Sequence, residues 1–198
     1  MKEALLFEDF KLNRQLLNAV EELGFETPTE IQQKCIPLIL GGQDVIGIAQ
    51  TGIGKTAAYM LPLLMKVKFA KEPEPRALIL APTKELVVQL TEHSKKFATY
   101  TDIRILGIYG GVGLKSQAEA IEEGVDIIIG TPGRFMELYL KGHIPVKKIN
   151  TLVLDEADRM MDMGSMPQLR SILEVIPTKR QNLLFSATFH QKVEKLSE

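Results

Sequence analysis

Six short apolar segments alternate with amphipathic segments along the chain, and this alternation limits the possible folds more than any other feature. We predict strands at 44–48, 77–80, 103–108, 125–129, 151–154 and 182–185. Helical periodicity fills most of the intervals, including 83–97 and 113–123. Because each crossover helix must pack back onto the sheet, buried strands separated by helices predict a mostly parallel sheet covered on both faces. The expected fold class is a three-layer α/β domain.

Two further helices are predicted ahead of the first strand. The first covers 12–23 and is stopped by Gly24, and the second begins near Thr29 and is expected to be interrupted at Pro37. A chain of 198 residues has the ordinary size of one domain. We therefore divide it into an N-terminal helical extension, 1–40, and an α/β core, 41–198.

Composition and charge exclude several classes of protein. Hydrophobic residues at 45% and charged residues at 25% are typical of a soluble globular protein, and no apolar run reaches the roughly 20 residues of a membrane span. The N-terminus does not resemble a secretory signal, so we expect an intracellular, cytoplasmic protein. The net charge is −1, so any binding of nucleic acid must depend on local groups. Cys35, the single cysteine, is predicted to be a buried thiol.

The segment AQTGIGKT, which follows the first predicted strand, is typical of a phosphate-binding loop. In such a loop the backbone N–H groups of a glycine-rich turn and of the following helix point at phosphate oxygens. Lys55 would reach the β and γ phosphates and Thr56 would offer its hydroxyl to Mg²⁺. The alternative is a flexible turn with an exposed lysine, but the position between a strand and a helix favours the phosphate site. The predicted ATP-binding residues here are Ala49, Gln50, Thr51, Gly52, Ile53, Gly54, Lys55 and Thr56.

A second polar segment, Asp155-Glu156, directly follows the predicted strand at 151–154. Ligands of parallel α/β folds bind at the carboxyl ends of the strands. Asp155 would hold Mg²⁺ directly or through water, and Glu156 would polarise the attacking water. Such a pair alone is also typical of a helix start, where the helix dipole favours acids. Together with Lys55, these two acids are the predicted catalytic residues, and we expect them to meet the loop around one magnesium triphosphate.

The string Asp155-Glu156-Ala157-Asp158 resembles the DEAD-box RNA helicases of superfamily 2. Other strings resemble that family's motifs in the family's order. They are Gly24 to Gln32 (the Q motif, with Phe7 as its upstream aromatic), Pro82 to Leu86 (Ia), Gly110-Gly111 (the GG doublet), Thr131 to Arg134 (Ib) and Ser186 to Thr188 (III). With AQTGIGKT as the phosphate-loop motif, these make seven matches in order, which are highly specific and cover nearly the whole chain. The resemblance implies a RecA-like domain that uses ATP and Mg²⁺.

The resemblance also implies roles for residues outside the phosphate loop. Thr27 and Gln32 would bind ATP, with Gln32 reading the adenine edge, and Phe7 would stack on the base. For Phe25, packing in the core is at least as plausible. Ser186 and Thr188 would bind Asp158 and couple the nucleotide to RNA; a strand end that caps the next helix is the alternative.

RNA would be held by its backbone, so contacts would carry little sequence specificity. The residues that the resemblance implies are Pro82, Thr83, Lys84, Gly111, Thr131, Pro132, Gly133 and Arg134. Thr131 and Pro132 are also typical of a helix N-terminus, and the two roles are compatible. Two positions depart from the family's pattern. Lys84 stands where Arg is usual, which puts a bidentate phosphate contact in doubt. Ile53 stands where a small residue is usual and could crowd the loop.

The family's C-terminal RecA-like domain, with its arginine fingers, has no counterpart in these residues. We therefore expect the chain to be the N-terminal part of a helicase that unwinds short RNA duplexes, to need that second domain of its parent chain as a partner, and to hydrolyse ATP very weakly alone. The isolated domain is expected to be monomeric. A GTPase is disfavoured because its guanine-reading Asn-Lys-x-Asp string is missing. A nucleotide-regulated scaffold that has lost unwinding remains an alternative.

Overall fold

Six parallel strands form one sheet in the computed structural model, which describes residues 5–50 and 52–188. The strands are β1 (Val45–Ile48), β2 (Ala77–Leu80), β3 (Ile105–Ile108), β4 (Ile127–Gly130), β5 (Thr151–Leu154) and β6 (Gln181–Ser186). Their order across the sheet is β1-β6-β5-β2-β4-β3, and every pairing is parallel. The predicted α/β class is confirmed. Each predicted strand is present, with ends displaced by no more than about two residues.

Eight α-helices surround this sheet within the described residues. They are α1 (Arg14–Glu22), α2 (Glu30–Leu40), α3 (Ile53–Val67), α4 (Lys84–Phe97), α5 (Leu114–Glu123), α6 (Pro132–Leu140), α7 (Ala157–Asp162) and α8 (Met166–Val175), and a short 3-10 helix (Phe7–Phe10) precedes them. In the part of the chain that the structure describes, no helix is both long enough and apolar enough to cross a membrane.

The two faces of the sheet bury separate sets of side chains, because successive residues of a strand point in opposite directions. In β2, Ala77 and Ile79 pack into a cluster with α1 to α4, whereas Leu78 and Leu80 pack into a second cluster with α5 to α8. Both sets are almost fully buried. The result is the three-layer arrangement that the sequence predicts.

Helix α2 continues through Pro37, so the predicted interruption there is wrong. A proline inside a helix costs about 3 kcal/mol, because it removes one backbone hydrogen bond and crowds the preceding turn. Cys35, Ile36 and Ile39 of the same helix are buried in the core, and this packing compensates for the loss. Cys35 is buried as predicted, and burial raises the pKa of its thiol.

The carboxyl ends of the strands are aligned at one edge of the sheet. Ile48 pairs with Ser186, and Leu154 pairs with both Leu80 and Leu184. The segments singled out after residue 48 follow the ends of strands, whereas the segment Gly24 to Gln32 precedes β1. The fold therefore brings segments that are distant in sequence to a common edge.

The opposite edge carries a buried carboxylate, Asp126, directly before β4. Arg76 Nη2 lies 2.8 Å from its Oδ1, and Arg104 donates from Nε to Oδ2 at 3.0 Å and from its backbone N–H to Oδ2 at 2.8 Å. The backbone N–H of Lys71 also donates to Oδ1. Burial raises the pKa of Asp126, but hydrogen bonds from Arg104 and Arg76 outweigh burial and hold the pKa below its usual value. This cluster fastens the loop before β2 to the sheet.

Candidate nucleotide and RNA site

The glycine-rich turn connects β1 to α3, as a phosphate-binding loop requires. Gly52 has a φ of 150°, which L side chains rarely adopt, and it precedes the first residue of the helix. The backbone N–H and the hydroxyl of Thr56 both donate to the carbonyl of Gly52, at 3.2 and 3.3 Å. Ala49 is half-buried and donates its N–H to Ser186, and Gln50 is exposed. Thr51 lies outside the described residues.

Lys55 and Asp155 form a buried ion pair that joins this turn to the end of β5. Lys55 Nζ lies 2.5 Å from Asp155 Oδ1, and the two side chains are 3% and 0% exposed. Oδ1 accepts no directed hydrogen bond among the described residues. The loop and the acidic strand end therefore meet at one place, as the sequence predicts.

Tyr59 contacts the other oxygen of the same carboxylate. Its hydroxyl donates to Asp155 Oδ2 at 2.7 Å, and the residue is fully buried. Burial first, and then the neighbouring Asp155 charge, raise the pKa of Tyr59 well above its ordinary value. Sequence reasoning missed this residue. The available signal was its spacing, since Tyr59 lies four residues after Lys55 and so on the same face of a helix.

Glu156 occupies the cap position before α7 in a left-handed backbone conformation, with φ 52° and ψ 51°. For a residue other than glycine this conformation costs roughly 1–3 kcal/mol and is concentrated at functional sites. Its side chain is partly exposed, beside the buried Asp155. The strand end thus presents one enclosed carboxylate and one accessible carboxylate.

An open cleft of about 330 Å³ lies between the loop before α2 and the start of α3. Gln32 lies at its base: its Oε1 accepts from the N–H of Thr29 at 2.9 Å, and its Nε2 donates to the carbonyl of Gly54 at 2.9 Å. One N–H and one lone pair of this amide remain for a ligand. Thr27 and Ile53 also line the cleft. Gln32 thus ties the segment predicted to read adenine to the first turn of α3.

Both aromatic residues singled out near the cleft, Phe7 and Phe25, pack against the core. Phe7 is 3% exposed, and its ring packs against Phe10 and Phe25 at centroid distances of 6.0 and 6.1 Å. Phe25 is the aromatic residue that lines the cleft, although it also packs against the core. Stacking of a base on Phe7 therefore stays a prediction and would require the ring to leave these contacts. Ile53 is half-buried and packs against the same core, so its side chain is accommodated at the start of α3.

The end of β6 contacts the first turn of α7. Ser186 Oγ accepts from the N–H of Asp158 at 3.3 Å, and the hydroxyl of Thr188 donates to Asp158 Oδ2 at 3.0 Å. Burial raises the pKa of Asp158, but the hydroxyl groups of Thr188 and Ser186 outweigh it, so the pKa lies below its usual value. The three residues predicted to couple nucleotide and RNA are in contact.

The residues predicted to bind RNA lie in the turns after β2, β3 and β4. Thr83 caps α4 by accepting from the N–H of Leu86 at 3.1 Å, and Pro82 before it is buried. Lys84 is exposed, with its Nζ 5.6 Å from the centroid of the Tyr109 ring. Gly111 has a φ of 85°, which favours glycine at this turn. Lys84 would lie 3.9 Å from a Cβ placed on Gly111, so these two turns adjoin.

The turn after β4 begins α6 with Pro132 at its first position. Thr131 occupies the cap position, but its side chain accepts no capping hydrogen bond, which leaves its hydroxyl available. Gly133 is exposed. Arg134 donates from Nη1 to the carbonyl of Val112 at 3.2 Å and to Gln117 Oε1 at 3.1 Å, so it orders the turn that contains Gly111. Pro82 and Pro132 are buried, and the other predicted RNA residues lie around these adjoining turns.

Known proteins resemble this chain in the segments that build the site. The DEAD/DEAH box helicase family model matches residues 29–196. The chain is 44% identical to the DEAD-box ATP-dependent RNA helicase 30 of Arabidopsis thaliana over 99% of its own length, and 42% identical to the ATP-dependent RNA helicase RhlB of Pseudomonas putida over 97%. It spans 34% and 50% of those two curated relatives. The match extends from Thr29, which lines the open cleft, past the end of β6, and the chain belongs to the DEAD/DEAH box helicase family.

Proposed function

We propose that this chain binds ATP with Mg²⁺ and the backbone of RNA, and that its parent protein is an ATP-dependent RNA helicase that separates short duplexes. The observation that carries the proposal is the buried contact between Lys55 and Asp155, which joins the lysine of the predicted phosphate loop to the carboxylate predicted to hold Mg²⁺. The names of the relatives, ATP-dependent RNA helicases, support the choice of ATP and RNA. ATP and RNA are intracellular molecules, which is consistent with the predicted intracellular, cytoplasmic location.

The residues present fit a magnesium ion. Mg²⁺ prefers oxygen ligands, and Asp155 Oδ1 is a buried carboxylate oxygen without a directed hydrogen bond. Thr56 would add its hydroxyl from the first turns of α3, and water could complete the set. When bound, the ion would neutralise charge on the β and γ phosphates.

The protein groups around it have distinct tasks. Lys55 would exchange Asp155 for phosphate oxygens, since a triphosphate carries more negative charge than one carboxylate. Backbone N–H groups at the start of α3 would hold phosphates with the help of the helix dipole. Glu156, which is accessible, would accept a proton from the attacking water. Gln32 would use its remaining N–H and lone pair to read the adenine edge.

RNA binding would use the surface formed by the turns after β2, β3 and β4. The hydroxyl of Thr131, the backbone of Gly111 and Gly133, and the ammonium of Lys84 are positioned to meet phosphates and sugars. Such contacts fix a strand without reading its sequence, which agrees with a net charge near zero. Arg134 is engaged within the protein and would support this surface as well as contact RNA.

A second RecA-like domain is proposed to complete the enzyme. The relatives are two to four times as long as the matched region, which leaves room for it. An arginine finger contributes roughly 10³–10⁵ in rate to the hydrolysis of nucleoside triphosphates. The 198 residues alone would then be monomeric, bind ATP and turn it over very slowly.

ATP binding by the chain, measured by calorimetry, tests the proposal directly. Lys55→Ala should abolish binding, whereas the matched surface variant Lys115→Ala should bind as the unmodified chain does. RNA-stimulated steady-state hydrolysis by these residues should be near background. In the parent protein, Glu156→Gln should bind ATP but not hydrolyse it, and strand separation should require ATP. Unchanged hydrolysis by that variant would refute the role of Glu156, and nucleotide binding without strand separation would favour the scaffold alternative.

A further inference from the structure

Helix α3 holds both oxygens of the Asp155 carboxylate from two consecutive turns. Lys55 and Tyr59 are four residues apart, so their side chains project from the same face of the helix. Lys55 Nζ lies 2.5 Å from Oδ1, and the Tyr59 hydroxyl donates to Oδ2 at 2.7 Å. One carboxylate is thus held by a charged donor on one side and a neutral donor on the other.

The two contacts differ in whether a ligand can replace them. Lys55 lies in the first turn of α3, beside the glycine-rich turn, where a bound triphosphate would compete for its ammonium. Tyr59 lies one turn deeper, is fully buried, and packs edge-on against Phe185 with ring centroids 5.1 Å apart. A methyl group at Gly47 would come within 2.6 Å of the Phe185 ring, so this glycine leaves room for the ring that supports Tyr59. The tyrosine contact therefore persists when the lysine contact is exchanged.

We propose that Tyr59 is a positioning residue for Asp155: its hydroxyl fixes Oδ2, so that Oδ1 keeps facing the phosphate end of the site after Lys55 has turned to the nucleotide. This inference rests on the proposed binding of ATP and Mg²⁺. A side chain that is already oriented loses less conformational freedom when its ligand binds. Among the described residues, Tyr59 provides the one directed hydrogen bond to the Asp155 carboxylate. Without this hydrogen bond, the Mg²⁺ ion itself would have to order the carboxylate.

Tyr59→Phe tests the proposal because it keeps the ring and removes the hydroxyl. The matched control is Tyr139→Phe, which makes the same change in α6 on the other face of the sheet. ATP is titrated into each protein by calorimetry, once with excess Mg²⁺ and once with EDTA. In Tyr59→Phe the gain in affinity that Mg²⁺ provides should fall about tenfold, as expected for one hydrogen bond to a charged acceptor. Affinity in EDTA should stay within about twofold, and the control should follow the unmodified chain.

The outcomes separate this inference from the proposed function. If the unmodified chain does not bind ATP, the proposed function and the positioning role of Tyr59 are both overturned. If it binds ATP with a gain from Mg²⁺ and Tyr59→Phe keeps that whole gain, or loses affinity equally with and without Mg²⁺, the positioning role alone is overturned. Should the variant fail to fold, the unmodified chain gives the answer by NMR. The buried Tyr59 hydroxyl proton should remain protected from exchange after MgATP is added, and its loss would overturn the inference.

Discussion

Two fully buried carboxylates lie at opposite edges of the sheet and are neutralised in different ways. Asp126 precedes β4, and its two oxygens accept hydrogen bonds from Arg76, from Arg104 and from backbone N–H groups. Asp155 follows β5, and its side chain has one hydrogen bond from Tyr59 and one ion pair with Lys55. The two aspartates are equally buried but differ in their hydrogen bonding. The acceptor sites of Asp126 are filled, whereas Asp155 keeps an acceptor site that no directed hydrogen bond fills.

The difference shows which carboxylate is suited to binding a ligand. Desolvation of an ionised group is costly, and a set of donors that fills its lone pairs repays that cost within the fold. The hydrogen bonds to Asp126 offset its desolvation in this way. A cation or phosphate could bind there only by disrupting those hydrogen bonds. Asp155 keeps acceptor capacity at Oδ1, and its charged neighbour Lys55 is one that a phosphate can draw away. Two features therefore distinguish the candidate site: a buried carboxylate that can still accept from a ligand, and a neighbouring ammonium that a ligand can displace.

The largest expected effect is the loss of stability in Asp126→Ala. Removing one partner of a buried ion pair typically costs about 3–5 kcal/mol, and here the lower end is expected because Arg76 and Arg104 are partly exposed. Urea unfolding followed by circular dichroism measures it. The affinity of the folded variant for ATP should stay within about twofold of the unmodified chain.

The variant Asp155→Asn, at the other buried carboxylate, should show the opposite pattern in binding. It should lose the gain in ATP affinity that Mg²⁺ provides, because a neutral amide is a weaker ligand for the cation. If Asp126→Ala reduced ATP affinity with Mg²⁺ as strongly as Asp155→Asn does, the distinction between a structural and a ligand-binding carboxylate would fail.

Acid should remove the Asp126 contribution gradually, which is a smaller effect at any one pH. The pKa of Asp126 is lowered in the folded state, so its stabilisation is fully present above the unfolded value near 3.8 and is lost as the pH falls through the folded value. The difference in unfolding free energy between the unmodified chain and Asp126→Asn should therefore shrink below pH 3.8. Urea titrations at a series of pH values test this, and a constant difference down to pH 2 or so would contradict the assigned cause.

The two carboxylates were not equally visible in the sequence. Asp155 could be predicted because it ends an apolar strand and shares a nucleotide-site pattern with Lys55. Asp126 was not singled out, because its partners come from separate segments and only the folded sheet brings Arg76 and Arg104 together. The contact between Tyr59 and Asp155 spans 96 positions of the chain. The spacing of four residues from Lys55 predicts that Tyr59 shares its helix face, but it does not identify Asp155 as the partner.

The layered fold itself followed from short-range patterns. Alternation of side-chain direction along each strand gave the two buried faces, and the helical periods between strands required parallel crossovers. The error at Pro37 arose because the local preference of proline was outweighed by packing of α2 against the core. The position of Phe7, packed against Phe10 and Phe25, depends on tertiary contacts in the same way.

A third carboxylate, Asp158, lies between the two extremes and carries the smallest predicted change in stability. It is half-buried, and Thr188, which is exposed, donates a hydrogen bond to it at 3.0 Å. Thr188→Val keeps the shape of the side chain and removes this bond, so we expect a loss of only about 0.5–1 kcal/mol in urea unfolding. ATP affinity of the 198 residues should not change, since within the described residues the side-chain hydroxyl of Thr188 has a hydrogen bond to Asp158 alone.

The informative readout for Thr188→Val is coupling in the parent protein. If Asp158 and Thr188 link the nucleotide site to the RNA surface, the variant should bind ATP and RNA separately with normal affinity, while the increase in RNA affinity produced by ATP should be reduced severalfold. Fluorescence anisotropy of a labelled RNA with and without ATP measures this increase. An undiminished increase would place Thr188 with Asp126, as a residue that stabilises the fold without transmitting the state of the site.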